Sequence, residues 1–405
     1  MPATCGIVAC GLSGALYTHA VVERIALISD GFEDYTAMLA NSIASTLGLS
    51  VTIIGPDSLS DRYQPRLNGH VEFVGFPSYR IRSPRNWALG GWLRACLESR
   101  DVELVHLQVG GDPWIPIAVR RACGQRPIIS TVHEAREERR DEDHWWSVLG
   151  RNATVGCSNE IVALSQSVAR VLSRRYGAGL PPTTVMPLGE IGTYYRSGSA
   201  RAPTGQPKTD RTNSERINSS GTPVPPPPWF LFFGRIRPYK GLGSLVDASA
   251  LLAAEVPDFR LIVAGTGATG AELFPNGFPS WLDLRLRHID DDEVAELFDS
   301  VRAVVLPYRR ASQSGVAALS LGLGCPVIAS DVGGLPEAVR HGLDGIVYDA
   351  QQPSSLLQAL RGVATQDLQA LHLREGAAET ATRSGESWRA IASATGAIYD
   401  RVAHT

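Results

Sequence analysis

Lysine is nearly missing from this chain. Of 38 basic side chains in 405 residues only Lys208 and Lys240 are lysines, and the others are arginines. With a formal net charge of −3 and no dense basic cluster, the chain lacks the electrostatic footprint of a nucleic-acid binder. The six cysteines, at 5, 10, 96, 123, 157 and 325, show neither CxxC spacing nor a nearby histidine pattern. That argues against a zinc ribbon or disulfide scaffold and reads as buried free thiols in a reducing cytoplasm. No run of about 18 apolar residues occurs, so no segment reads as membrane-spanning. Residues 1–23 contain no Lys or Arg and are broken by glycines, so they lack the charged start of a secretory signal and read as an extension.

What is present is globular: 44% hydrophobic and 20% charged residues, in a chain long enough for two domains. Residues 196–228 are rich in Ser, Thr, Pro and Gly and nearly free of apolar side chains, so they cannot bury a core and read as a flexible linker. On either side, short apolar runs alternate with helical patterns. In residues 24–195 the runs are Arg24–Ser29, Val51–Ile54, Val71–Val74, Leu104–Leu107, Pro127–Val132, Ile161–Ala163 and Thr184–Pro187, with helices expected from about Tyr35 to Leu47, over Trp87–Glu98 and over Ser165–Tyr176. In residues 229–380 they are Trp229–Phe233, Phe259–Ala264, Leu284–Arg287, Ala303–Leu306 and Pro326–Ser330, with helices through Leu245 and Leu251, over Asp292–Ser300 and from about Ser314 to Leu323. Residues 381–405 end in an amphipathic helix, Trp388–Val402. This alternation specifies an α/β protein of two doubly wound Rossmann-like domains, with a ligand cleft between them.

Three places carry candidate chemistry. The loop after Trp229–Phe233 holds Gly234, Arg235, Lys240 and Gly241, where an arginine fork and a lysine point charge suit a diphosphate. The segment from Ala303 to Glu337 sets Ser314, Gly315 and Val316 at a helix start, whose amides and dipole favour phosphate. Asp30, Gln108 and His133 stand at strand ends along one edge of the first domain. A fourth signal, GTGATG at Gly265–Gly270, matches GxGxxG, but it follows the second strand of its domain, and no clean strand ends in an acidic residue about 20 positions on, as a dinucleotide site requires.

The motifs GRIRPYKG, DDDEVAELFDSVRAVVLPY, PVIASDVGGLPEAVRHGLDGIVYD, STVHE and ALSQSVARVL resemble the retaining GT-B glycosyltransferases of family 4 over roughly Arg24 to Val402. The resemblance implies a GT-B fold with the active site in the cleft, and sugar transfer from a UDP- or GDP-type nucleotide-diphosphate sugar to a glycan, lipid-linked or small-molecule acceptor. It implies retention of configuration, no cofactor and no bound metal, and leaves peripheral membrane contact open. Arg235 and Lys240 match the pair that holds the diphosphate, and His133 matches a histidine near the reacting sugar. The backbone at His288 and Ile289 would face the base, and Gly234, Ser312, Gln313, Ser314, Gly315, Val316 and Glu337 would lie along the donor. Asp34, Tyr35, Gln108 and Glu134 would line the acceptor side, and Trp388–Val402 would cross back onto the first domain. Many members carry two glutamates eight positions apart where this chain has Ala311 and Leu319, or Ser312 and Ser320 in the adjacent register. A non-catalytic nucleotide-sugar-binding protein of the same fold is the alternative this departure raises.

Overall fold

The computed structural model describes residues 22–77, 83–108, 110–135, 145–197, 223–270, 274 and 277–404. Residues 1–21 of the extension and 198–222 of the linker lie outside the described residues.

The first half comprises β1 (Arg24–Ser29), α1 (Glu33–Leu47), β2 (Ser50–Pro56), α2 (Ser60–Tyr63), β3 (Val71–Phe76), α3 (Leu89–Glu98), β4 (Leu104–Gln108), α4 (Trp114–Ala122), β5 (Ile128–Val132), α5 (Trp145–Cys157), β6 (Glu160–Ala163), α6 (Gln166–Tyr176), β7 (Thr183–Val185) and α7 (Gly192–Ser197). Its strands form one parallel sheet in the order β3-β2-β1-β4-β5-β6-β7. The second half comprises β8 (Trp229–Phe233), α8 (Leu242–Ala253), β9 (Arg260–Ala264), β10 (Leu282–Arg285), α9 (Asp291–Asp299), β11 (Ala303–Leu306), α10 (Gly315–Gly322), β12 (Val327–Ser330), α11 (Leu335–Ala338), β13 (Gly345–Tyr348), α12 (Ser355–Thr365), α13 (Asp367–Thr382) and α14 (Ser384–Ala403). Its sheet is parallel in the order β10-β9-β8-β11-β12-β13.

In both sheets the strand order reverses beside the first strand, between β1 and β4 and between β8 and β11. A crevice opens at such a switch, outside the carboxyl ends of the strands. The strands read as apolar runs because helices cover both faces: Ile25 to Ile28, Phe230 to Phe232 and Ala303 to Leu306 are all buried. No helix of the described residues is long and apolar enough to cross a membrane.

Several boundaries differ from the sequence reading. The helix expected from Trp87 begins at Leu89, after a 3-10 turn at Pro84–Ala88. The strand expected at Leu284–Arg287 is Leu282–Arg285, because it pairs with β9 and stops where β9 stops, at Ala264. Helix α7 carries regular structure through Ser197, beyond the expected start of the linker. At the other end Val22 is buried and the Glu23 amide donates to Glu103 at 2.6 Å, so the last residues of the extension pack on the first domain. Helices α2, α4, α5 and α7 and strand β13 have no counterpart in the sequence reading.

α14 packs along α1, where Ser42 Oγ donates to the Trp388 carbonyl at 2.8 Å. Trp388 Nε1 donates to the Glu190 carbonyl at 2.8 Å, and Arg401 Nε reaches Glu160 at 3.1 Å. The halves also meet directly. Arg66, nearly buried against the Tyr194 ring, pairs with Asp291 of α9 at 2.6 Å, and the Ile191 amide donates to the Ala318 carbonyl at 3.3 Å.

Candidate active site

The carboxyl ends of β8 and β11 build a basic wall. Beyond β8 the chain leaves through Gly234 and Arg235 and turns at Pro238–Lys240 into Gly241. Gly241 has φ +71°, and a Cβ there would lie 1.9 Å from the Pro307 carbonyl oxygen, so only glycine lets this turn rest on the exit of β11. The contact buries Lys240 to 8% exposure with Nζ 5.2 Å from the centre of the Tyr308 ring. Burial, with a smaller push from Arg235, pulls the Lys240 pKa down to about 8, and Glu134 across the cleft opposes the fall. The GTGATG motif lies underneath. A Cβ on Gly265 would stand 2.0 Å from the Gly234 oxygen, and the Ile236 amide donates to Thr266 at 2.6 Å, so these glycines support the Arg235 loop from below.

The second piece is the start of α10. Ser314 is its N-cap and accepts from the Ala317 amide at 3.2 Å, while Gly315 and Val316 occupy the first turn and line the cleft. The preceding loop crosses to the first domain: Ser312 Oγ donates to the Ala135 carbonyl at 2.6 Å and Gln313 Nε2 to the His133 carbonyl at 3.2 Å. Gln313 Oε1 is buried without a partner. Of the positions where the family resemblance implies carboxylates, Ala311 and Leu319 line the cleft, whereas Ser320 is buried and donates to the Cys325 carbonyl at 2.8 Å.

Facing this wall stands His133, 1% exposed, at the end of β5. Its ring stacks on Phe32 at 3.8 Å between centroids and meets the edge of Tyr35 at 5.0 Å. Nε2 lies 2.8 Å from Gln108 Oε1. Burial, helped by neighbouring His106, pulls the His133 pKa down to about 3, so the ring is neutral at working pH. Phe32 caps α1 in the left-handed conformation, φ 55°, which is uncommon for a residue with a bulky side chain. Asp34 in the first turn of α1 also faces the cleft. Burial pushes its carboxyl up to about 6, against the Tyr35 amide at 2.7 Å and a longer contact from Tyr195 at 3.4 Å.

These walls enclose one cavity of about 670 Å³. It brings together Arg235, Lys240, His133, Ser312, Gln313, Ser314, Gly315, Val316, Asp34, Tyr35 and Glu134. Gly234 lies just behind, with its Cβ position 3.5 Å from Lys240 Nζ. Four expected residues have their side chains outside the lining. Gln108 is fully buried behind His133, because the alternation of β4 turns it to the same inner face as His106. His288 is exposed and Ile289 is buried in the core beside α9; neither side chain lines the cavity, whereas the expectation for this pair concerned its backbone. Glu337 accepts from the amides of Gln166 and Ser167 at 2.7 and 3.0 Å, capping α6 of the opposite domain instead of facing the donor wall. The residues missed are Phe32, Tyr195, Tyr239, Tyr308 and Arg310, all in the lining. Tyr239, Tyr308 and Arg310 lie inside segments singled out in the sequence, and strand-end position could have found them.

Two facing doubly wound domains, with a buried cation and a helix start at their shared crevice, define the GT-B class of fold. The model of Glycosyltransferase Family 4 matches residues 29–189, and that of Glycosyl transferases group 1 matches residues 227–366. The chain belongs to the GT-B glycosyltransferases of family 4. It is 29% identical to D-inositol 3-phosphate glycosyltransferase of Streptomyces bingchenggensis over 62% of this chain and 55% of that protein. It is also 29% identical to the protein of that name from Streptomyces griseus, over 95% of this chain and 83% of that protein. The chain spans 55% to 65% of the length of the first four curated relatives it matches. Among solved structures, HepE of Anabaena in complex with UDP and glucose superposes with a TM-score of 0.63 at 15% identity, over 92% of this chain and 99% of that one.

Proposed function

We propose that this protein transfers a sugar from a nucleotide-diphosphate sugar to an acceptor hydroxyl, with retention of configuration. The observation that carries the reading is the convergence of buried Lys240, Arg235 and the first turn of α10 on one cavity, opposite His133. Lys240 and Arg235 hold the diphosphate, and the amides of Gly315 and Val316 add the positive end of the helix. The negative charge on the diphosphate grows as the glycosidic bond breaks, so these groups act more strongly in the transition state than on the bound donor. The departing phosphate takes the acceptor's proton on the face it leaves, and no carboxylate base or metal ion enters the step. Because HepE is solved with UDP and glucose, UDP is the first nucleotide to test, ahead of GDP. The acceptor, a glycan, a lipid-linked or a small molecule, meets the first-domain wall at Asp34, Tyr35 and Glu134. The setting is cytoplasmic, with any membrane contact peripheral.

The test is a thermal-shift and calorimetric screen of UDP, GDP, ADP, dTDP and their sugars, since a ligand that binds only the folded state stabilises it by mass action. One nucleotide should stand out, and its sugar should turn over. Absence of binding by all four would refute the reading. The cavity wall at Ala311 and Leu319 offers no side-chain acceptor for sugar hydroxyls. That favours the second reading, a non-catalytic nucleotide-sugar-binding protein of the same fold. Any measurable transfer or donor hydrolysis eliminates it.

A further inference from the structure

A buried hydrogen-bond chain runs from the terminal helix to the cavity. Tyr399 OH of α14 lies 2.8 Å from His106 Nδ1. His106 Nε2 lies 2.8 Å from Thr131 Oγ1 and 3.1 Å from Gln108 Nε2, which also donates to Thr131 at 3.0 Å. Gln108 Oε1 then meets His133 Nε2 at 2.8 Å. His106, Gln108 and Thr131 are fully buried, and Tyr399 and His133 are each 1% exposed, so water does not substitute for any member. The chain crosses β4 and β5 on the sheet face covered by α1 and α14, and only His133 reaches the cavity.

Donor and acceptor roles in such a chain are correlated. An amide oxygen can only accept, so His133 Nε2 carries the proton that Gln108 Oε1 receives. The amide nitrogen of Gln108 donates to His106 Nε2, which leaves the His106 proton on Nδ1, donating to Tyr399. His133 Nδ1 is then a bare lone pair. The backbone of His133 is held from the other side by Gln313, whose Nε2 donates to its carbonyl at 3.2 Å.

We propose that Gln108 is a positioning residue that holds His133 in the Nε2–H form, with Tyr399 and His106 orienting the Gln108 amide, so that Nδ1 accepts a hydrogen bond from a hydroxyl of the bound sugar. This rests on the glycosyltransferase reading for the identity of the ligand, but the proton arrangement does not. It also gives the return of α14 onto the first domain a role at the site: the Tyr399 hydroxyl sets the polarity of a chain that ends at the reacting sugar.

The experiment uses the full chain labelled with 15N-histidine. Long-range 1H–15N correlation of the ligand-free protein should show His133 protonated on Nε2 and His106 on Nδ1. Gln108→Leu should turn His133 into a mixture of tautomers. Tyr399→Phe removes the partner of His106 Nδ1–H, so His106 should move its proton to Nε2, the amide should turn, and His133 should present Nδ1–H. Calorimetry with UDP and UDP-glucose supplies the second readout. UDP affinity should stay within about twofold of wild type in Gln108→Leu, while the advantage of UDP-glucose over UDP should fall about tenfold, the size of one lost hydrogen bond. A wild-type His133 protonated on Nδ1, or a His133 tautomer unmoved in both variants, would overturn the proposal. A wild-type protein that binds no UDP would refute the UDP-donor reading instead, and the ligand-free spectra would still decide the proton arrangement. If Gln108→Leu fails to fold, Tyr399→Phe alone decides, because a purely structural tyrosine would leave the distant His133 tautomer unchanged.

Discussion

Replacing Lys240 with methionine should make the ligand-free protein more stable while removing nucleotide binding. Methionine matches the lysine stem in length and flexibility, so the turn against Pro307 keeps its packing. What disappears is a buried ammonium. Its pKa falls from the usual 10.5 to about 8, a difference of about 2.5, which at 1.36 kcal/mol each corresponds to about 3 kcal/mol disfavouring the charged form in the fold. The lost contact with the Tyr308 ring returns about 0.5–1 kcal/mol, so a net gain of about 2 kcal/mol is expected at pH 7. The sign follows from proton counting. Between pH 8 and 10.5 the unfolded chain holds the Lys240 proton and the folded chain has lost it, so wild-type stability rises with pH across that window. The advantage of Lys240→Met is therefore full below about pH 8 and closes by about 10.5. Urea denaturation at pH 7 and pH 10, with UDP calorimetry at pH 7, measures both halves. A variant less stable than wild type at pH 7, or one that binds UDP normally, would sink the account of Lys240 as a strained cation held for a diphosphate.

The same shift makes UDP binding pH-dependent: a bound diphosphate restores the Lys240 charge, so binding takes up a proton above pH 8 and affinity should fall toward tenfold per pH unit there, a trend that calorimetry in buffers of different ionisation heat would detect. Gly333 has φ +62°, and a Cβ there would sit 1.6 Å from the Ala311 carbonyl oxygen, so Gly333→Ala should cost more than about 3 kcal/mol in denaturation and displace the Ser312 loop. Glu337→Ala leaves the Gln166 and Ser167 amides at the start of α6 without their carboxylate, while the Ser165 cap remains, and should cost about 1 kcal/mol in stability with UDP affinity unchanged within about twofold; a large loss of affinity would return Glu337 to the donor site.

The two-domain alternation was legible because the central strands are short apolar runs closed by glycine, proline or a polar residue, and parallel strands covered on both faces leave that signature. The candidate cations were legible for a similar reason: Arg235 and Lys240 follow a strand directly, and a chain with two lysines makes each conspicuous. Glycine patterning was less dependable. GTGATG has the spacing of a dinucleotide loop, yet Gly265 serves close approach to Gly234, a contact between segments 31 residues apart (265 − 234) that no local pattern encodes.

From sequence alone one learns which residues reach the carboxyl edge of each sheet, since strand length and the alternation of strand and helix determine that locally. Which way those residues face once there was decided only by the tertiary structure. Gln108 ends a strand as His133 follows one, but the pleat turns Gln108 inward onto His106, while His133 lines the cavity. Glu337 sits in the expected glycine-rich segment, but the approach of the two domains brings the α6 N-terminus within reach of its carboxylate. Lys240 is present in the sequence as a charge. Its burial against Tyr308, and hence its lowered pKa, arises only when β8 and β11 lie side by side and the Gly241 turn closes over Pro307.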